Sequence, residues 1–77
     1  MRIDLFLKKA GLIKRRIWAK NAINRKIVLL NNKAIKPGKI VEINDKITLN
    51  VGTQKEYTIE IVSVSPKNNS VLYKNIK

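Results

Sequence analysis

Residues 15–30 restrict the fold most. Arg15 and Arg16 open the stretch, Ile17-Trp18-Ala19-Lys20-Asn21-Ala22-Ile23 follows, and after Arg25 and Lys26 comes the apolar run Ile27-Val28-Leu29-Leu30. The first part has helical spacing: at about 100° per residue, Trp18, Ala19, Ala22 and Ile23 fall within about 140° of arc. The second part is rich in β-branched residues and reads as a strand. A short cationic helix must therefore run straight into a strand, and each needs the other to bury its apolar side.

The helix is expected to begin at Arg15 or Arg16. A helical Arg15 would project into the apolar stripe, so Arg15 is assigned the N-cap position, although it is a poor capping type. Arg16 and Lys20, spaced i, i+4, share a face beside the stripe, and Ile17 points away from it. Residues 3–10 read as an earlier helix. Phe6, Leu7 and Ala10 form its apolar face, Asp4 is its expected N-cap, and Ile3 takes the staple position. Lys8 and Lys9 suit its last turn. Gly11 is its expected left-handed C′ residue, with Leu12 and Ile13 folding back.

Beyond residue 27 turn signals recur. Residues 27–30 and 33–35 are expected to pair as a hairpin about Asn31 and Asn32, since Asn tolerates positive φ. Lys36-Pro37-Gly38-Lys39 is a second turn. Residues 40–43 read as a short strand ended by Asn44-Asp45-Lys46. Residues 47–51 read as another strand, 52–55 as a turn, and 56–62 as a half-buried strand with Tyr57, Ile59 and Ile61 alternating against Thr58, Glu60 and Val62. A loop is expected over 65–70 and a last short strand or turn over 71–73. The class is α+β: two N-terminal helices packed on a small, mostly antiparallel sheet. At 77 residues a single domain over 1–77 is expected, near the lower size limit for an unaided core.

Charge narrows the function. Residues 1–39 hold twelve of the 17 Lys and Arg but one acid, Asp4, for a net +11; the rest of the chain carries +1. An A/T-rich coding sequence, which raises Lys and Asn, is the plain alternative for the charge; its segregation into the first half favours a cationic face. A cationic face usually meets a phosphate backbone. With no Cys and no His, the chain lacks thiolate sites, disulfides and the commonest general base and metal ligand. The acids are scattered, without a Gly-rich phosphate loop, so no catalytic residue, metal or cofactor is assigned. The apolar runs are too short to span a bilayer, and charges at positions 2, 4, 8 and 9 break any signal-like segment. A cytoplasmic protein without membrane attachment is expected.

Arg2, Lys9, Lys14, Arg15, Arg16 and Lys20 are the candidate contacts to such a phosphate backbone. Arg guanidinium groups donate to phosphate in bidentate pairs. Cations at a helix start oppose the macrodipole, so local stability does not explain Arg15 and Arg16. Asp4 joins the candidates by orienting Arg2 or Arg16, a role set beside its capping role. Trp18 is assigned to the core, with base stacking as the alternative.

Arg2-Ile3-Asp4, Phe6-Leu7, Lys14-Arg15-Arg16 followed by Ala19, and Val28-Leu29-Leu30-Asn31 together resemble the S4 RNA-binding domain, or alpha-L motif. The S4-like motif core spans about residues 1–50, with C-terminal strands over 51–77. Several positions depart from the family pattern: Lys26 and Asn32 replace glycines, Gly11 replaces a basic residue, and Asn44-Asp45-Lys46 replaces Pro-Gly-Asp. Among stand-alone members, the opening nine residues, Leu12-Ile13-Lys14-Arg15-Arg16, Gly52-Thr53-Gln54-Lys55 and Val71-Leu72-Tyr73 resemble the RqcP family, which is related to the fifteen-kilodalton heat-shock family. That resemblance implies a non-enzymatic factor of ribosome-associated quality control. Its implied partners are large-subunit rRNA, tRNA, the large ribosomal subunit and RqcH, and it is expected to act as a monomer. The alternatives are a heat-shock-type or assembly factor binding free large subunits, or an RNA-binding subunit for a separate rRNA-modifying enzyme.

Overall fold

A computed structural model of the chain describes residues 1–50, 56–65 and 70–76. Helix α1 is Ile3–Lys9 and helix α2 is Arg16–Asn24; they precede strands β1 (Val28–Leu30), β2 (Lys46–Asn50), β3 (Glu56–Ser65) and β4 (Ser70–Asn75). The four strands form one antiparallel sheet in the order β1-β2-β3-β4. Helix α1 packs on α2 and β4, and α2 packs on β1. The core between helices and sheet comprises Ile3, Phe6 and Leu7 of α1, Ala19 and Ile23 of α2, Val28, Leu30, Ile47, Leu49, Ile59 and Ile61 of the strands, and Val41. The α+β expectation holds, with every strand pairing among the described residues antiparallel.

Both helices end in the same way. After α1, the Gly11 N–H donates to the Lys8 carbonyl and the Leu12 N–H to the Leu7 carbonyl, with Gly11 at φ +77°. After α2, the Lys26 N–H donates to Ile23 and the Ile27 N–H to Ala22, with Lys26 at φ +63°. These are Schellman bonds, which satisfy carbonyls that a helix end otherwise leaves open. Gly11 and the fold-back of Leu12 are as expected. Lys26 adopts the left-handed conformation that a glycine would take without strain.

The expected pairing of 27–30 with 33–35 is correct at the turn and wrong beyond it. Asn31 and Asn32 have φ of 51° and 66°, and Leu30 and Lys33 exchange both backbone hydrogen bonds. Pairing stops at that bridge. The partner of β1 is β2, with Val28 opposite Leu49 and Leu30 opposite Ile47. This distant partner buries apolar side chains against both β1 residues, whereas Lys33 and Ala34 are exposed and offer little to bury.

Residues 40–43 are not a sheet strand, which corrects a second expectation. Ile40 makes an isolated bridge to Arg2, and Ile40 and Ile43 are exposed while Val41 is buried. The segment instead holds the N-terminus: Ile3 N–H donates to Lys39, Val41 N–H to Met1, and Asp4 N–H to Pro37. Its end is a turn in which the Asp45 carboxylate accepts the Glu42 N–H at 2.8 Å and Asn44 takes φ +77°.

The alternation expected over 56–62 places Ile59 and Ile61 inside and leaves Tyr57 partly exposed. A bulge at Val62 then changes the phase, because Ile61 faces Tyr73 while Ser63 faces Leu72. The bulge puts Val64, opposite Val71, on the same side as Ile61, and both valines pack on the core. Strand β4 is longer than the 71–73 expected, and Ser65 and Ser70 are paired strand residues. The turn at 52–55 and loop residues 66–69 lie outside the described residues.

The left-handed backbone at Lys26 gives a test. Lys26→Gly is expected to stabilise the fold by about 1 kcal/mol, since a side chain in this region carries a steric penalty of that order. Urea denaturation reads the change, and an unchanged or lower midpoint would show that the Lys26 side chain makes a compensating contact.

Candidate nucleic-acid interface

Asp4 is the central residue of the cationic surface. It is fully buried, at 0% exposure. Its Oδ2 lies 3.2 Å from Arg2 Nη2 and 3.4 Å from Arg16 Nε, and its Oδ1 accepts the Leu5 N–H at 2.7 Å. Arg2 precedes α1 and Arg16 opens α2, so one carboxylate ties together the starts of both helices. A buried charge is tolerated only when it is paired and hydrogen-bonded, and Asp4 satisfies both conditions.

Asp4 is not the N-cap, contrary to its first assignment. Arg2 takes that position and no side chain caps α1. The reason lies in the 37–41 segment. Its carbonyls at Lys39 and Pro37 take the Ile3 and Asp4 N–H groups, Asp4 Oδ1 takes that of Leu5, and Phe6 donates to the Arg2 carbonyl. The Ile3, Asp4 and Leu5 N–H groups, which the helix itself leaves open, are thus satisfied without a conventional cap, and the Phe6 bond is the first of the helix's own. Asp4 is left to orient Arg2 and Arg16, the second role considered for it, and it does so for both.

The two guanidinium groups remain available to a ligand. The Arg2 and Arg16 side chains are 44% and 40% exposed. Among the described residues no hydrogen bond engages the terminal nitrogens of Arg16, and its buried Nε has no hydrogen-bond partner beyond the ion-pair approach to Asp4. Two planar donor groups are held by a buried anchor with their outer edges in solvent, an arrangement suited to phosphate. Lys20 is exposed one turn beyond Arg16. Helix α2 has Arg15 as its N-cap, as expected, and no side-chain cap, so its positive dipole end adds to the same potential.

The remaining candidates are more dispersed. Lys9 is exposed in the last turn of α1, and Lys14 is exposed in the connection to α2. Neither makes an ion pair with the Asp4 cluster. Arg15 turns to Trp18, its Cζ lying 5.7 Å from the indole centroid. The core assignment of Trp18 is wrong: the residue is 53% exposed, while Ala19 and Ile23 are buried. Trp18 sits at the edge of the arc, and small Ala19 brings the α2 backbone too close to the core for an indole to enter from there. Ile17 is exposed as expected.

Lys36 and Lys39 belong to this surface although they were not singled out from sequence. Their turn is bonded to the start of α1, and an added Cβ at Gly38 would lie 3.7 Å from Arg2 Nη2. The available sign was the absence of any acid from residue 5 to residue 41. Among the described residues there is no group of His, Cys, Asp or Glu that could hold a metal ion, and no helix is long and apolar enough to cross a membrane.

With this geometry in place, comparison with known proteins decides the family. The S4 domain family model matches residues 1–47. The chain belongs to the S4 domain family. It is 45% identical over 60 residues to an RQC P-site tRNA stabilizing factor from Helicobacter pylori, an alignment covering 77% of this chain and 71% of that protein. It is 39% identical over 64 residues to a protein of the same description from Halalkalibacterium halodurans, covering 83% and 72%. Among solved structures it is similar to trimeric Heat Shock Protein 15 of Vibrio cholerae, with a TM-score of 0.83 and 33% identity over 97% of this chain and 80% of that one. The S4 domain has its Asp4 cluster and both helices inside the matched segment, while β3 and β4 lie beyond it.

The anchor can be tested against net charge alone. Asp4→Asn makes the chain one unit more cationic, so a simple charge effect would tighten RNA binding. Loss of the anchor is instead expected to weaken RNA binding and to lower stability by about 2 kcal/mol, the scale of hydrogen bonds to a charged group. Filter binding and urea denaturation of the same preparation measure both, and tighter binding would discard the anchoring role.

Proposed function

We propose that this S4-domain chain is a non-enzymatic RNA-binding factor of the large ribosomal subunit. It binds rRNA together with P-site peptidyl-tRNA and supports C-terminal tailing of stalled nascent chains in ribosome-associated quality control. One observation carries the reading: Arg2 and Arg16, from the starts of two different helices, are set in place by one buried carboxylate on a surface otherwise free of acids from residue 5 to 41. The description shared by the two bacterial relatives, RQC P-site tRNA stabilizing factor, supports the choice of tRNA and of this pathway.

The mechanism is electrostatic and geometric. Structured RNA is recognised chiefly by shape, phosphate and 2′-OH contacts. A rigid pair of helices with oriented guanidinium groups can bridge two phosphate backbones and favour one tRNA position. Arg2 and Arg16 are the central contacts, Lys20 extends them along α2, and Lys9, Lys14 and Arg15 supply positive charge around them. The protein acts in the cytoplasm as a single domain and a monomer, with RqcH as the partner that extends the stalled chain.

A second reading is favoured by the similarity to Heat Shock Protein 15: binding of free large subunits without tailing. Crosslinking in cells with sequencing of the attached RNA, combined with co-purification, separates the two. Crosslinks to both tRNA and large-subunit rRNA with RqcH recovered support the first; empty subunits without tRNA support the second.

Arg16→Ala is expected to weaken RNA binding and to reduce the dependence of log K on log salt by about one unit at most, the contribution of one phosphate contact. Lys46→Ala, at the exposed start of β2, serves as the comparison. If Arg16→Ala binds like the parent across a salt titration while Lys46→Ala does not, the helical surface is not the RNA site.

A further inference from the structure

Helix α2 carries a second cationic edge, distinct from the one that Asp4 organises. At about 100° per residue, Trp18 lies roughly 160° round the helix from both Arg16 and Lys20. On its own edge Trp18 has Arg15 three residues before it. Arg25 follows seven residues after, within about 20° of the same line. Trp18 is 53% exposed, Arg15 and Arg25 are exposed, and the Arg15 guanidinium lies 5.7 Å from the indole centroid. A large aromatic ring is thus partly in water between two arginines, on a helix that holds no acid.

We infer that Trp18 stacks on an unpaired nucleobase of the bound RNA, while Arg15 and Arg25 engage the phosphates on either side of it. The inference rests on the RNA-binding reading and adds a contact to it. Three observations carry it. The first is exposure: the fold does not use this indole for its core, which Ala19 and Ile23 occupy. The second is the arginine contact. Cation–π attraction draws Arg15 to the indole, orienting the ring and placing positive charge beside it. The third is charge complementarity, since residues 5–41 are without an acid and the chain carries +12. A base with its phosphates presents a flat apolar face beside negative charge, which matches an exposed indole with Arg15 against it and Arg25 farther along the same helix edge. The base must be unpaired, because a duplex hides its base faces in the stack.

Trp18 is the one tryptophan of the chain, so its fluorescence reports the contact directly. The probes are an RNA hairpin with an adenine-rich single-stranded loop and the same hairpin with abasic loop residues. The parent protein is expected to show quenching with the first and little with the second. Trp18→Leu should bind the adenine-loop hairpin about 5- to 150-fold more weakly, as expected for one lost stacked base, with its salt slope unchanged. It should bind the abasic hairpin as the parent does, and Trp18→Phe should restore most of the lost affinity. Equal quenching by both hairpins, or unchanged affinity of Trp18→Leu for the adenine loop, overturns the inference. So does a Trp18→Leu protein that binds both RNAs normally but fails on intact large subunits, since that result assigns the indole to a ribosomal protein. Failure of the parent itself to bind either hairpin in a salt-dependent way would count against the RNA-binding reading as a whole, whereas salt-dependent binding without a Trp18 response removes only the stacking contact.

Discussion

The buried carboxylate of Asp4 is the interaction on which the interface depends. It lies where the starts of α1 and α2 meet, and it is fully removed from water. A carboxylate there would be prohibitive alone. With Arg2 and Arg16 beside it and the Leu5 N–H donating to its second oxygen, its charge is balanced and both oxygens are hydrogen-bonded. The arrangement also serves a ligand. Each arginine gives part of its guanidinium to Asp4 and leaves part in solvent, so little side-chain freedom remains to be lost when a phosphate arrives.

That anchor rests on backbone contacts distant in sequence. The segment from Pro37 to Val41 holds the N-terminus through hydrogen bonds to Ile3, Asp4 and Met1. Because loop carbonyls accept the first helical N–H groups, Asp4 need not act as a cap. The same contacts bring the turn containing Lys36 and Lys39 against Arg2, extending the cationic surface onto a loop. On the other side, β1 holds the end of α2 in place, and its burial against β2 fixes the direction in which the helix leaves the core. Structural stability and the placement of positive charge therefore share the same contacts.

The two edges of α2 differ in chemistry. On one edge Lys20 extends the anchored pair of Arg2 and Arg16, an arrangement suited to phosphate. Arg15, Trp18 and Arg25 combine guanidinium groups with a flat apolar ring. The buried stripe of Ala19 and Ile23 separates them, so a single short helix can face two RNA elements at once.

Much of this was legible from residues alone. Helical spacing located both helices, Gly11 marked the end of α1, the pair of asparagines marked a two-residue turn, and Arg15 was excluded from α2 by its clash with the stripe. These are local properties, set by periodicity and by backbone preference within a few residues. The segregation of charge likewise pointed to a phosphate backbone as the partner of a surface that includes Arg2 and Arg16. Tertiary structure decided the rest. Whether Asp4 capped a helix or bound arginines depended on carbonyls more than thirty residues away. Whether Trp18 was core or surface depended on how closely small Ala19 lets α2 approach the sheet, and the spacing of apolar residues gives only the edge of an arc, not its depth of burial. The partner of β1 was decided by which strand could cover Val28 and Leu30, a competition between a nearby polar segment and a distant apolar one that local pattern does not resolve.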